Sequence, residues 1–586
     1  MSDKKVESID WKLLKRVLAM AKPYSGVFTA CIALAVISAP LNAFRPYLIQ
    51  RMVDDHIFQL DISGLKNVAI IYMLVVLAVV ITRYFFIYYT ALLGQSVIKD
   101  LRVRVFDHIS NLNLSYFDRT PIGRATTRTI NDVERINDVF AQGVITIVAD
   151  LLAVFAVLGI MFYTSWRLTL ICLITMPFLI LATYIFKEKV KSAFERVRTQ
   201  ISEMNSFLQE RISGMRVIQI FNAEDQEKEK FRSINREYTQ ANLDSILYYA
   251  IFFPVVELIS AVALALLVWW GAGAYLQGTV SFGALVAFPI YLNMLFRPVR
   301  LLADKLNTLQ MGLVASDRIF QVLDDTSIID NAGKKVKAPI SGAVDFENVT
   351  FAYDGINDVL KNVSFSIAAG ETLAIVGNTG SGKTTIINIL NRFYQLRKGT
   401  VKIDGLDLMS YDLPYLRSKL SMVLQDVFLF SGTIMDNIRL RDDTIDEAKI
   451  IESAEMIGAH EFIEKMPNAY NFVVSERGSN LSMGQRQLIS FVRALVFDPE
   501  ILILDEATSS IDTETETIIQ YAIEKLIEKR TSIIIAHRLS TIRHADKIMV
   551  LRDGEIKEFG NHEELLQIED GIYRQMYEIQ FEETAA

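Results

Sequence analysis

Gly377-Asn-Thr-Gly-Ser-Gly-Lys-Thr384 follows the apolar run Leu373-Ala-Ile-Val376 and precedes Thr385-Ile-Ile-Asn-Ile-Leu390. This is the complete phosphate-binding loop pattern in its expected setting, a strand running through a glycine-rich turn into a helix. The glycines let backbone N–H groups turn toward phosphates. Lys383 reaches the terminal phosphates, the Thr384 hydroxyl is a magnesium ligand, and the helix N-terminus adds the positive end of its dipole. The site is expected to include Gly377, Asn378, Thr379, Gly380, Ser381, Gly382, Lys383, Thr384 and Thr385.

Downstream, Ile501-Leu-Ile-Leu-Asp505 reads as a buried strand ending in a carboxylate. Asp505 is the expected magnesium partner. Glu506 is placed to orient attacking water or take its proton. Short β-rich runs alternate with helical segments around these motifs: Val344–Phe351, Val363–Ile367, Thr372–Val376, Leu420–Leu424, Ile501–Leu504, Ser532–Ala536 and Lys547–Leu551. That alternation predicts an α/β domain on a largely parallel sheet over residues 344–586.

The first 300 residues are of another kind. Mean hydropathy is +0.28 and 51% of the 586 residues are hydrophobic, with the excess gathered upstream. A helix needs ~20 mostly apolar residues to cross a bilayer. Six runs qualify: Val27–Leu48, Val68–Gly94, Val139–Tyr163, Leu168–Phe186, Leu247–Leu276 and Val280–Phe296. Positive charge alternates between the connections: six Lys/Arg lie before residue 27, seven in Gln95–Asp138 and eleven in Lys187–Ser245. By the positive-inside rule these segments, with everything after Phe296, are expected in the cytoplasm. The two long loops are charged and helical in pattern. They are expected to break at Asn113–Gly123 and around Ile212–Arg216, forming tips able to dock on another domain. Residues 1–26 read as an interfacial helix with Trp11, Leu14 and Leu18 on one face. The expected division is 1–26, a membrane domain over 27–323, a linker over 324–343, and the α/β domain.

Composition excludes other classes. A net charge of −8 argues against a nucleic-acid binder. The two cysteines, Cys31 and Cys172, lie in apolar runs and cannot form a zinc site or a disulfide framework.

Leu481-Ser-Met-Gly-Gln485, Asp505-Glu-Ala-Thr-Ser-Ser-Ile-Asp512 and Ala536-His-Arg538, in this order after the phosphate loop, resemble the ATPase domain of ABC transporters. Six spans fused ahead of one such domain resemble an exporter-type half-transporter of the lipid-flippase and multidrug-exporter kind. The resemblance implies that Tyr353 stacks on adenine. Gln425 would coordinate magnesium or the attacking water, and His537 would contact the γ-phosphate. Ser482, Gly484 and Gln485 would form a signature facing the ATP of the opposite subunit, with Asp512 at the dimer interface. It implies that Glu476 lies in a loop sensing the membrane domain, and that Tyr116–Gly123 and Ile212–Ile220 are coupling tips. Met483 replaces the first of the signature's two usual glycines, which leaves a heterodimer open beside the favoured homodimer. The implied cofactors are ATP and Mg2+, and the implied partners are a second half-transporter, membrane lipids and an amphipathic substrate.

ATP-driven export or flipping of such substrates by alternating access is the expected function, in a cell membrane with the ATPase domain cytoplasmic. A nucleotide-gated channel or regulatory membrane protein is the alternative. A soluble DNA-repair ATPase shares the nucleotide motifs but not the spans. Ionisable groups in or beside the spans mark a candidate substrate path: Arg83, Asp150, Glu257, Arg297 and Arg300. Their competing role is to pair with one another across helices.

Overall fold

The computed structural model describes residues 10–328, 336–440, 442–505, 513–535 and 542–585. It divides into two compact units, Met1–Ser110 with Pro121–Asp325, and Asn111–Thr120 with Thr326–Ala586.

The first unit is helical. It comprises α1 (Trp11–Ala19), α2 (Ser25–Arg51) and α3 (Ile62–Ser110). The tip segment α4 (Leu114–Arg119) belongs to the second unit. The first unit resumes with α5 (Ile122–Thr127), α6 (Val133–Asp138), α7 (Ile145–Thr164) and α8 (Trp166–Ile174). It ends with α9 (Met176–Ser213), α10 (Met215–Ile220), α11 (Glu224–Leu276) and α12 (Phe282–Leu323). Among the described residues six helical stretches are long and apolar enough to cross a membrane: Lys22–Ile57, Ile62–Ser110, Ile122–Thr164, Trp166–Ser213, Glu224–Leu276 and Phe282–Leu323. Five of the six expected spans lie within these stretches, and the sixth, expected from Val280, starts at Phe282. The 53 residues of α11 reach about 80 Å at 1.5 Å per residue.

Several details differ from the sequence reading. The fourth span is not one helix: the chain breaks at Thr175, whose hydroxyl bonds to the Cys172 carbonyl, before Pro177 opens α9. The loop breaks fall at 111–113 and 120–121, and at Gly214 with a second at 221–223. In α1 the buried residues are Leu14 and Val17, whereas Trp11 is exposed. They join Leu309, Leu313, Ile319 and Phe320 of α12 in one cluster. Arg16 holds the Asp324 carboxylate with both terminal nitrogens and lies 3.9 Å over the Phe320 ring. Protein, on this side, takes the face expected to meet lipid.

The second unit begins with β1 (Val344–Phe351), β2 (Leu360–Ile367) and β3 (Thr372–Val376). There follow α13 (Lys383–Leu390), β4 (Lys398–Ile403), β5 (Leu406–Asp407), α14 (Leu413–Lys419), β6 (Leu420–Val423) and β7 (Gly432–Thr433). Helices α15 (Ile434–Arg439), α16 (Glu447–Met456) and α17 (His460–Glu464) lead to β8 (Val473–Val474) and α18 (Met483–Val496). Then come β9 (Ile501–Asp505), α19 (Thr513–Ile527), β10 (Thr531–Ile535), β11 (Lys547–Arg552) and β12 (Glu555–Gly560). Helices α20 (His562–Leu566) and α21 (Ile572–Ala585) end the chain.

A six-stranded sheet has the order β12-β11-β3-β10-β9-β6 and is parallel except at β12. Its central strands are apolar throughout because both faces are covered. In β3, Leu373 and Ile375 enter one core and Ala374 and Val376 the other. A separate antiparallel sheet, β2-β1-β4-β5, was not foreseen, and neither were β4, β5, β7, β8 and β12. Lys398-Gly-Thr-Val-Lys-Ile403 buries only Val401 and Ile403, so its apolar signal is too thin to stand out.

The nucleotide site of the second unit

Parallel strands bring the predicted phosphate-site residues to one edge, the carboxyl ends of β3 and β9. Ile535 of β10 pairs with Ile375 on one side and with Asp505 on the other, so Asp505 sits level with the start of the phosphate loop. Two strand spacings separate them, roughly 10 Å.

The loop between β3 and α13 has Gly377, Gly380 and Gly382 at φ 153°, 83° and 106°. A Cβ at Gly377 would lie 2.1 Å from the Leu551 carbonyl, and one at Gly382 2.7 Å from Leu360 Cδ2. Only glycine fits both conformation and space. Lys383 is buried and its Nζ donates to the carbonyls of Gly377 (2.6 Å) and Asn378 (3.1 Å). Burial lowers its pKa from the usual lysine range, and the Asp505 carboxylate opposes part of that shift. Ser381 Oγ is buried without a hydrogen-bond partner among the described residues. A cation folded over its own loop, a free buried hydroxyl and a helix N-terminus fit an anionic oxygen cluster. Thr384, Asn378 and Thr379 are exposed.

Tyr353 lies on the same side of α13. Its hydroxyl is 3.1 Å from Thr385 Oγ1 and accepts from Asn388 Nδ2 at 3.3 Å. Its ring meets Phe351 and Tyr394 edge-on, with centroids 4.8 and 5.0 Å apart. Sequence reasoning missed the next layer. The Tyr394 hydroxyl donates to the Asp118 carboxylate, and Arg119 Nη2 donates to the Tyr353 carbonyl at 3.2 Å. The Asn111–Thr120 tip is also stitched to the chain after α12: Asn113 N–H donates to the Ser327 carbonyl at 2.8 Å, and Leu112 bridges to Ile328. The only sequence signal for Tyr394 is an aromatic residue shortly after the phosphate-loop helix.

Gln425 is exposed just past β6, whose Val423 pairs with Leu504 of β9. The loop after it is anchored by Arg493 of α18, which donates to the carbonyls of Asn437 (2.8 Å) and Phe428 (3.3 Å). Burial lowers the pKa of that guanidinium to about 10. Ser482 caps α18 in a reciprocal box: its hydroxyl accepts from Gln485 N at 3.2 Å, and its own N–H donates to Gln485 Oε1 at 3.0 Å. Gly484 is buried, while Ser482 and Met483 face outward. Glu476 is exposed in a short turn next to Arg477, which adopts φ 56°. Glu506, Asp512 and His537 lie outside the described residues.

In the first unit, Asp150 is paired with Lys305 of α12, which is the structural role weighed against substrate contact. Arg83, Glu257 and Arg297 are exposed and Arg300 is half-buried. Arg45 was overlooked inside the first expected span; its Nε is buried without a partner among the described residues.

Comparison with known proteins gives the class. Residues 28–299 match the ABC transporter transmembrane region family and residues 360–509 match the ABC transporter family. An uncharacterized ABC transporter ATP-binding protein, YknV, of Bacillus subtilis (strain 168) is 38% identical over 591 residues, covering 99% of this chain and 96% of that protein. The probable multidrug resistance ABC transporter ATP-binding/permease protein YheH of the same organism is 38% identical, covering 92% and 80%. An ATP-dependent lipid A-core flippase of Syntrophus aciditrophicus (strain SB) is 35% identical, covering 97% and 95%. The chain belongs to the ABC transporters. It is an ATP-hydrolysing half-transporter, a membrane region with six helices among the described residues long and apolar enough to cross a bilayer, fused to an ATPase domain.

Proposed function

We propose that two copies of this chain export or flip an amphipathic lipid or drug, with ATP held between their ATPase units. The observation that carries this reading is the intact phosphate-site edge, Gly377–Thr385 with Asp505, on a chain that also holds six spanning helices. The names of the relatives, a lipid A-core flippase and a multidrug resistance protein, support the substrate class.

In this reading ATP spans the phosphate loop of one copy and Ser482, Gly484 and Gln485 of the other, and Asp512 lies at the junction. A symmetric pair then carries two composite sites. Tyr353 stacks on adenine, Lys383 binds the terminal phosphates, and His537 contacts the γ-phosphate. Thr384, Gln425 and Asp505 are the residues that hold Mg2+, which supplies charge neutralisation on the phosphates. Glu506 orients water for attack. ATP binds the closed pair better than the open one, and hydrolysis reverses the preference. The tips at Tyr116–Gly123 and Ile212–Ile220 pass closure to the spans, with Glu476 in the sensing loop. Arg83, Glu257, Arg297 and Arg300 remain the candidate substrate contacts. The basic loops and the ATPase unit are cytoplasmic and the membrane is the cell membrane.

The test is ATPase activity of the purified chain in lipid nanodiscs, across lipids and drugs, with native mass spectrometry on the same sample. A stimulated dimer is expected, and Glu506→Gln is expected to bind ATP while losing most turnover. A monomer active by itself, or near-normal turnover in Glu506→Gln, overturns the reading.

A further inference from the structure

Arg493 lies toward the far end of α18 from Ser482, and its guanidinium is directed at one target, the segment that follows Gln425. Its Nε donates to the Asn437 carbonyl at 2.8 Å, Nη2 to Asn437 Oδ1 at 3.4 Å, and Nη1 to the Phe428 carbonyl at 3.3 Å. Asn437 of α15 is buried and uses both ends of its carboxamide. Its Nδ2 donates to the carbonyls of Phe430 (2.9 Å) and Thr433 (3.0 Å), and its Oδ1 accepts from the Phe430 N–H at 2.8 Å. Leu429 is fully buried between them. Residues 428–433 are therefore closed into a loop by one side chain and tied to α18 by another.

All three acceptors of the guanidinium are oxygens of neutral groups. A cation held in the interior without a counter-ion is costly, so this arrangement is not explained by charge pairing. It is explained by geometry. The planar fork of arginine reaches three oxygens at once, whereas a lysine is a single point of charge on a flexible stem. What the fork fixes is the chain beside the metal edge: Gln425 lies three residues before Phe428, just past β6, and β6 pairs with β9, which ends at Asp505.

We propose that Arg493 and Asn437 are positioning residues for the metal site, holding the Phe428–Thr433 loop so that Gln425 meets the ion that Thr384 and Asp505 also hold. This rests on the reading of Gln425 and Asp505 as metal partners given above.

The test uses the full chain in nanodiscs, with Mn2+ as a spin probe in place of Mg2+ and a non-hydrolysable ATP analogue. Arg493→Lys is expected to weaken Mn2+ binding about tenfold, as for loss of a residue behind a metal ligand. Binding of the analogue in EDTA should stay near that of the parent. Gln425→Ala is expected to weaken Mn2+ binding by a similar factor, and Arg493→Lys added to it should weaken it no further, because both act through one contact. Asn437→Asp keeps the acceptor and loses both donors, and repeats the measurement should Arg493→Lys fold poorly. Unchanged Mn2+ affinity in Arg493→Lys, equal losses with and without the metal, or additive losses in the double variant overturn the proposal. Unchanged Mn2+ affinity in Gln425→Ala overturns it too, and is the one outcome that also strikes Gln425 from the metal site.

Discussion

The Tyr394 hydroxyl donates to the Asp118 carboxylate while the Tyr394 ring packs edge-on against Tyr353. One side chain therefore touches both the Asn111–Thr120 tip and the aromatic residue beside the phosphate loop. Burial first, and Asp118 second, raise the Tyr394 pKa well above the usual phenol range, so the hydroxyl stays a donor at any working pH.

Tyr394→Phe keeps the ring and removes the donor. Basal ATPase is expected to stay within about twofold, while substrate stimulation falls. Asp118→Asn can still accept and should behave better than Asp118→Ala. A double-mutant cycle on stimulated ATPase should give a coupling on the order of 1 kcal/mol between the two positions. Strict additivity would show that the bond transmits nothing.

Tyr353 is held by its hydroxyl as well as by ring packing. Tyr353→Ala is expected to weaken ATP binding by about 1–3 kcal/mol, the range for loss of a base–aromatic stack. Tyr353→Phe should cost far less, since the ring remains and Asn388 and Thr385 can turn to water. Titration with a fluorescent nucleotide separates these outcomes. Equal losses would mean that the hydroxyl, rather than the ring, contacts the nucleotide.

Ser482 and Gln485 hold each other in the capping box of α18 before any nucleotide is considered. Ser482→Ala is expected to lower stability by about 0.5–2 kcal/mol in nucleotide-free protein, the usual loss of an N-cap. Gln485→Glu preserves the box and should leave nucleotide-free stability near that of the parent. Thermal unfolding without ATP is the measurement, and an unchanged Tm for Ser482→Ala would show that the cap contributes little.

Gly283 opens α12 against the end of α2, where its N–H donates to Asp54 Oδ1 at 2.7 Å. An added Cβ would lie 2.5 Å from the Gln50 carbonyl and 2.7 Å from Asp54 Cγ. Gly283→Ala should therefore cost about 1–3 kcal/mol as an overpacked contact. Gly273 has nothing within 4 Å of its would-be Cβ, so Gly273→Ala is the matched control and should not lower Tm.

The phosphate loop was legible because its chemistry is local: glycines, lysine and threonine act within eight consecutive residues. The spans were legible for a similar reason, since bilayer thickness imposes a minimum apolar length on each helix. The antiparallel sheet was not, because β4 buries one face only and carries Lys398 and Lys402 on the rest. The lipid-like reading of α1 missed that Leu14 and Val17 are claimed by α12. An amphipathic stripe records that a face is buried, not what buries it.

Sequence alone determined the class of transporter and its two-part architecture, and it marked the expected phosphate loop and the expected carboxylate at Asp505, short patterns whose physics is contained in a few neighbouring residues. Tertiary structure decided which groups meet across long separations: Tyr394 with Asp118, Asp150 with Lys305, Asp54 with the Gly283 N–H. Those pairs follow from the register of strands and the packing of helices, and no local pattern encodes the distance between two residues more than a hundred positions apart.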